Sequence, residues 1–204
     1  MSRPPEPILI INDGSLAALV ASLLAPDLSR IIAWLPPSGS SLRGVGADEA
    51  SQLSLVTQQA DLMGYERVIS PPALPRPVGE RWIEQTQSLL AAVASACESG
   101  CTRVIWPVVA GDRMAEMLEF SERGSLLNRL CWLGESDRQS STAQADTQDR
   151  TGPAAGSISM NEGEVRSIRV ETPFVDLVPS QIGDMARDLD APLQVCWWDA
   201  EAHV

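Results

Sequence analysis

Residues 8–20 read ILIINDGSLAALV. An apolar run ends at Asn12-Asp13-Gly14-Ser15, and a second apolar pattern begins at once. Asp-Gly between two apolar segments signals a hairpin when the second segment alternates apolar and polar residues. Here Leu16, Leu19, Val20, Leu23 and Leu24 recur at helical spacing instead. The order is therefore strand, short turn, helix. Residues 8–11 are apolar without alternation, as expected of a strand covered on both faces.

The pattern repeats along the chain. RIIAWL (30–35) reads as a second strand, and a Gly-, Ser- and Pro-rich loop (36–46) follows it. A helix is expected over 48–63, closed by Gly64 as C-cap. A third strand falls at 66–70, an extended linker at 71–77, and a helix at 79–97 stopped by Gly100. RVIWPVV (103–109) is the fourth strand, with Pro107 marking a bulge or an edge, and a long helix is expected over 111–133. Residues 134–163 hold no aliphatic cluster and are expected to form an extended or flexible insertion. Strand character returns at Val165, Ile168 and Val170; Pro179 opens a last helix to about 189; and 192–198 closes the chain as an edge strand or packed tail. Trp106, Trp132 and Trp197 sit in apolar contexts and are expected in the core.

Strands alternating with helices imply one α/β domain over residues 1–204: a Rossmann-like, parallel, five-stranded sheet with helices on both faces. Ligands on such sheets bind beyond the carboxyl ends of the strands, where the strand order reverses. The turn at 12–15 is the first place to look.

Composition narrows the function classes. The chain has 204 residues and a formal charge of −12, which repels nucleic-acid backbones and anionic lipid. No nucleic-acid or membrane partner is expected. All 15 basic residues are arginine, which removes Schiff-base chemistry and a lysine phosphate clamp. Arg3 is followed by prolines and an acid rather than an apolar leader, so a cytoplasmic protein with reduced thiols is expected. The one histidine, His203, stands at the end of the sequence, which excludes a Ser-His-Asp triad.

ETPFVDLVPSQIGDMARDLDAPLQVCWWD (171–199) resembles a stretch of the PP-loop ATP pyrophosphatases. Within them it looks most like the 7-cyano-7-deazaguanine synthases, which make a queuosine precursor. The matching places are Thr172-Pro173, Asp176-Leu177, Ile182, Pro192-Leu193 and Trp197, and a weaker likeness covers 8–24, 60–69 and 100–112. The resemblance implies an adenine nucleotide α-hydrolase-like fold, ATP and Mg2+ as cofactors, and adenylation of a carboxylate followed by transfer to ammonia.

The family loop reads Ser-Gly-Gly-x-Asp-Ser. Laid over it, Asn12 replaces the Ser, Asp13 the first Gly, Gly14 is kept, Ser15 takes the variable place, and Leu16-Ala17 replace Asp-Ser. Asp13 sets a negative charge where a polyphosphate would lie, a cost of about 1 kcal/mol or more in a partly buried site. Two readings of Asn12 to Ser15 stand: helix capping by Asn12 or Asp13 alone, or capping combined with an anion site. Gly111-Asp112-Arg113 either caps the next helix or brings Arg113 to a phosphate. Asp176 either holds Mg2+ or turns the chain. Cys97 and Cys101, at i and i+4, are read as buried thiols; the zinc-binding cysteine tail of the resembled enzymes has no counterpart, and no zinc or other metal site is expected.

The candidate nucleotide-binding residues are thus Asn12, Asp13, Gly14, Ser15, Asp112, Arg113 and Asp176, with no catalytic residue assigned. The expected function is that of a noncatalytic PP-loop-like descendant, a pseudoenzyme kept as a nucleotide-binding or interaction module and able to form homo-oligomers. The alternative is an active ATP-dependent amidating enzyme of 7-deazapurine synthesis.

Overall fold

Four consecutive buried residues form the central strand β1 (Ile8–Ile11). Its side chains alternate between the sheet faces: Ile8 and Ile10 point to one side, Leu9 and Ile11 to the other. A strand with no polar face is stable only between two layers. The structure, a computed structural model, describes residues 6–26, 30–38, 40–42, 49–72, 81–148 and 167–197.

The elements follow as α1 (Leu16–Leu23), β2 (Ile31–Trp34), α2 (Glu49–Met63), β3 (Arg67–Ile69), α3 (Arg81–Glu98), β4 (Arg103–Ile105), α4 (Met114–Gln148), β5 (Arg169–Glu171) and α5 (Pro179–Asp188). A 3-10 turn at Leu193–Val195 ends the described chain. All strand pairs are parallel, in the order β3-β2-β1-β4-β5. The expected α/β Rossmann-like sheet is thereby present. Helices α1 and α5, with Val56 of α2, pack on the Ile8 and Ile10 face; α3 and α4 pack on the Leu9 and Ile11 face. Complete burial of a Leu or Ile side chain stabilises by about 1.5–3 kcal/mol, and Leu9, Ile10, Leu19, Ile31, Ile32, Leu89 and Leu127 all reach it.

The direction of growth reverses between β1 and β4. β2 and β3 lie on one side of β1, and β4 and β5 on the other. Loops leaving β1 and β4 therefore diverge and leave a crevice beyond their carboxyl ends.

Three local expectations change. β4 stops at Ile105, because Pro107 has no N–H to extend the ladder. The long helix continues to Gln148, so residues 134–148 are helical rather than extended; the remainder of the expected insertion lies outside the described residues. Trp132 is 62% exposed rather than in the core. On α4 the buried positions are Phe120, Arg123, Gly124 and Leu127, and helical geometry turns position 132 well away from them. Among the described residues no helix is long and apolar enough to cross a membrane.

Candidate functional site

The turn after β1 is held by its own side chains. The Asn12 N–H donates to the Trp34 carbonyl at 2.9 Å and carries the parallel pairing one residue past the strand. The Asn12 side chain is fully buried. Its Oδ1 accepts from the Gly14 N–H at 2.8 Å, and its Nδ2 donates to Gln59 Oε1 at 2.8 Å. Asp13 Oδ1 accepts from the Ser15 N–H at 3.0 Å. Gly14 lies at φ +85°, a left-handed conformation that favours glycine. Ser15, extended at φ −73° and ψ 164°, is the N-cap of α1, and its Oγ accepts from the Ala18 N–H at 3.3 Å. The helix cap is therefore Ser15 and not Asn12 or Asp13. An Asx side chain reaches an amide two residues on, which here is still in the turn.

The end of the described chain lies against the same turn. Trp197 forms an isolated parallel bridge with Ser15, its N–H donating to the Gly14 carbonyl at 3.0 Å. Its indole Nε1 donates to the Asp13 carbonyl at 2.9 Å. Fully buried Gln59 of α2 joins both pieces: Nε2 donates to the Val195 carbonyl at 2.9 Å while Oε1 accepts from Asn12. Turn, α2 and tail thus form one hydrogen-bonded unit.

A cleft of about 460 Å³ opens at the β1/β4 crevice. Asp13, Ser15 and Ala17 line one side, and Trp106 to Val109, after β4, line the other. Phe120 and Trp197 add aromatic walls, Phe120 meeting Trp106 edge-on with centroids 5.3 Å apart. Ser41 and Leu42, from the loop after β2, form the rim with Arg81 and Gln85 of α3. That loop is tied down by Glu84, whose two carboxylate oxygens each accept from the Ser41 N–H at 2.9 Å. Ser41 Oγ is a buried oxygen with no hydrogen-bond partner among the described residues. A second recess of about 300 Å³ shares Arg81, Gln85, Glu116 and Phe120 with the cleft.

Two guanidinium groups face this space. Arg113 Nη1 donates to Glu116 Oε1 at 2.6 Å and Nε to the Ala110 carbonyl at 3.2 Å, so it is oriented but half neutralised. Arg81, in the first turn of α3, is exposed and makes no ion pair among the described residues.

Of the sequence-predicted residues, the cleft brings together Asp13, Ser15 and Arg113. Asn12 is buried behind it, and Gly14 lies under Leu55 and Trp197. Asp112 is exposed just before α4, where its carbonyl accepts from the Met114 N–H at 3.0 Å, and it does not line the cleft. Asp176 is exposed in the turn before α5. That turn meets the other one through the Gly111 N–H, which donates to the Leu177 carbonyl at 3.1 Å, but Asp176 is also outside the cleft lining. Cys101 is buried as expected, whereas Cys97 is exposed. Burial pushes the Cys101 and Cys196 thiols up to about 11. Among the described residues no three His, Cys, Asp or Glu side chains gather closely enough to hold a metal ion.

Sequence reasoning missed Arg81, Ser41 and Gln85. Their only signal was position: Ser41 in the loop that follows β2, and Arg81 and Gln85 on the helix that follows β3. Comparison with protein-family models, with curated proteins and with solved structures gives no match for this chain.

Proposed function

We propose that the chain is a noncatalytic, PP-loop-like protein that holds a nucleotide or similar small anionic ligand with a planar ring in the β1/β4 cleft. The observation that carries this reading is the state of the turn amides. Gly14 and Ser15 already donate to Asn12 and Asp13. A phosphate-cradling loop needs such amides free and turned outwards. The anionic end of a ligand is better served at the rim by Arg81, with Arg113 behind it, than over the Asp13 carboxylate. The ring is better served by the aromatic wall to which half-buried Trp197 contributes.

Titration calorimetry with ATP and with AMP, each with and without Mg2+, tests the reading. Expected are binding of both nucleotides, no pyrophosphate release, and at least about tenfold weaker affinity for Arg81→Ala, the loss of one charge-assisted contact. No heat at millimolar nucleotide overturns the nucleotide-binding reading. Pyrophosphate release in the presence of a carboxylate substrate and ammonia overturns the noncatalytic one in favour of an ATP-dependent amidating enzyme.

A further inference from the structure

Helix α4 buries one side, through Phe120, Arg123 and Leu127, against the Leu9 and Ile11 face of the sheet. Its other side is apolar as well. Leu118 (52% exposed), Leu126 (49%), Leu130 (43%) and Leu133 (54%) stand in solvent along about four turns. Single exposed leucines are ordinary, but a row of four on one helix marks a surface that is covered in the working protein.

The charges within the row select what covers it. Glu122 and Arg129 lie seven residues apart, on nearly the same side of the helix, and both are exposed. Neither makes an ion pair among the described residues, in contrast to Glu119, which pairs with Arg123. We infer that this face is the contact between two copies of the chain, with α4 packed antiparallel on α4 about a two-fold axis passing between Ser125 and Leu126.

Two-fold symmetry makes the contact self-complementary. In the antiparallel register Glu122 meets the partner subunit's Arg129, and symmetry repeats the pair. That same register sets Leu118 against the partner subunit's Leu133, and puts Leu126 beside its own copy at the axis. The two matches come from one choice of axis. A parallel pairing fails on both counts, since it sets Glu122 against Glu122 and Arg129 against Arg129, and like charges placed together suppress a pairing. The inference is independent of the nucleotide reading.

Sedimentation equilibrium of the full chain tests it. A dimer at micromolar concentration is expected. Glu122→Arg and Arg129→Glu each weaken it at least about tenfold by creating like-charge contacts. The double variant E122R/R129E restores association, and Leu126→Glu gives a monomer. All three positions are exposed, and far-ultraviolet circular dichroism confirms that each of the four variants is folded. A wild-type monomer at high micromolar concentration overturns the inference and leaves the face to another occupant. So does a dimer indifferent to Leu126→Glu and to both reversals, or a double variant no better than the single ones.

Discussion

The indole Nε1 of Trp197 donates to the main-chain carbonyl of Asp13 at 2.9 Å, across 184 residues of sequence. With the Trp197 N–H on the Gly14 carbonyl, this seats the tail on the turn that begins α1. Trp197→Phe keeps an aromatic ring, though a smaller one, and removes one donor, so it is expected to cost about 1 kcal/mol or slightly more. Trp197→Ala also removes the wall of the cleft and is expected to cost about 3 kcal/mol, at the low end for a large aromatic side chain because Trp197 is only partly buried. Urea unfolding reads both; unchanged midpoints would mean that the tail does not rest on the turn in solution.

Gly14 carries a sharper constraint. At φ +85° an alanine is strained by about 1–2 kcal/mol. Its Cβ would also stand 3.3 Å from Leu55 Cβ and 3.4 Å from Trp197 Cδ1. Gly14→Ala is therefore expected to lower stability by about 2 kcal/mol or more, seen as a lower urea midpoint at constant m value. Combined with Trp197→Ala, which clears one of the two contacts, the loss should be less than additive. Full additivity would show that the two residues do not meet.

The Gln59 side chain hydrogen-bonds to the turn and the tail together. Replacing it with leucine keeps the volume and leaves the Asn12 amide and the Val195 carbonyl without their partner. Two orphaned buried groups at about 1–3 kcal/mol each predict a loss near 3 kcal/mol. Gln59→Leu and Asn12→Leu together should cost less than their sum, because the second change removes a group that the first one orphaned. A double-mutant cycle with no coupling would remove this network from the account.

The fold was legible where short-range rules act alone. The unalternating residues 8–11 gave a strand buried on both faces, and the helical spacing after Ser15 excluded a hairpin. Pro179 opened α5 and Gly64 and Gly100 closed α2 and α3 at positive φ. Errors arose where a local cue had two outcomes. Lack of aliphatic residues in 134–148 suggested an insertion, yet Glu, Gln, Arg and Ala are good helix formers and a helix already under way is easily extended. Trp132 had apolar neighbours in sequence, but its angle on the helix set its exposure. The cleft was legible at the turn after β1 and, through Arg113, beyond β4. Arg81 and Ser41 reach it through the packing of α3 on the sheet and the Glu84 tie, contacts separated by 43 residues that no local pattern records. Trp197 has apolar neighbours in sequence and nothing there points to residue 13, yet it is half-buried against the turn rather than in the core.

The sheet edge supplies another measurable claim. Val170 of β5 points its N–H and carbonyl away from β4, and Asn128 of α4 takes both: Nδ2 donates to the carbonyl at 3.0 Å and Oδ1 accepts from the N–H at 2.6 Å. One carboxamide thus replaces a missing neighbouring strand. Asn128→Ala should cost about 2 kcal/mol and expose a pairing edge, so that light scattering rises on mild heating. A variant as stable and as monodisperse as the wild type would show that the edge needs no cover.

Glu171 gives the chain a definite acid response. Arg103 donates to its carboxylate through Nε at 3.0 Å and Nη2 at 2.8 Å. These hydrogen bonds, helped by the charges of Arg103 and Arg169 and opposed by partial burial, hold the Glu171 carboxyl below its ordinary value. A carboxyl depressed in the folded state contributes stability above its unfolded value of about 4.3, and loses it as pH falls through the folded value. Because both side chains keep solvent contact, the contribution is within about 1 kcal/mol. Arg103→Gln should therefore be less stable than the wild type at neutral pH by that amount, with the gap closing below about pH 4. Arginine stays charged throughout this range, so Glu171 alone sets the window. A gap that persisted unchanged to pH 2 would assign the loss to packing of the Arg103 side chain rather than to the ion pair.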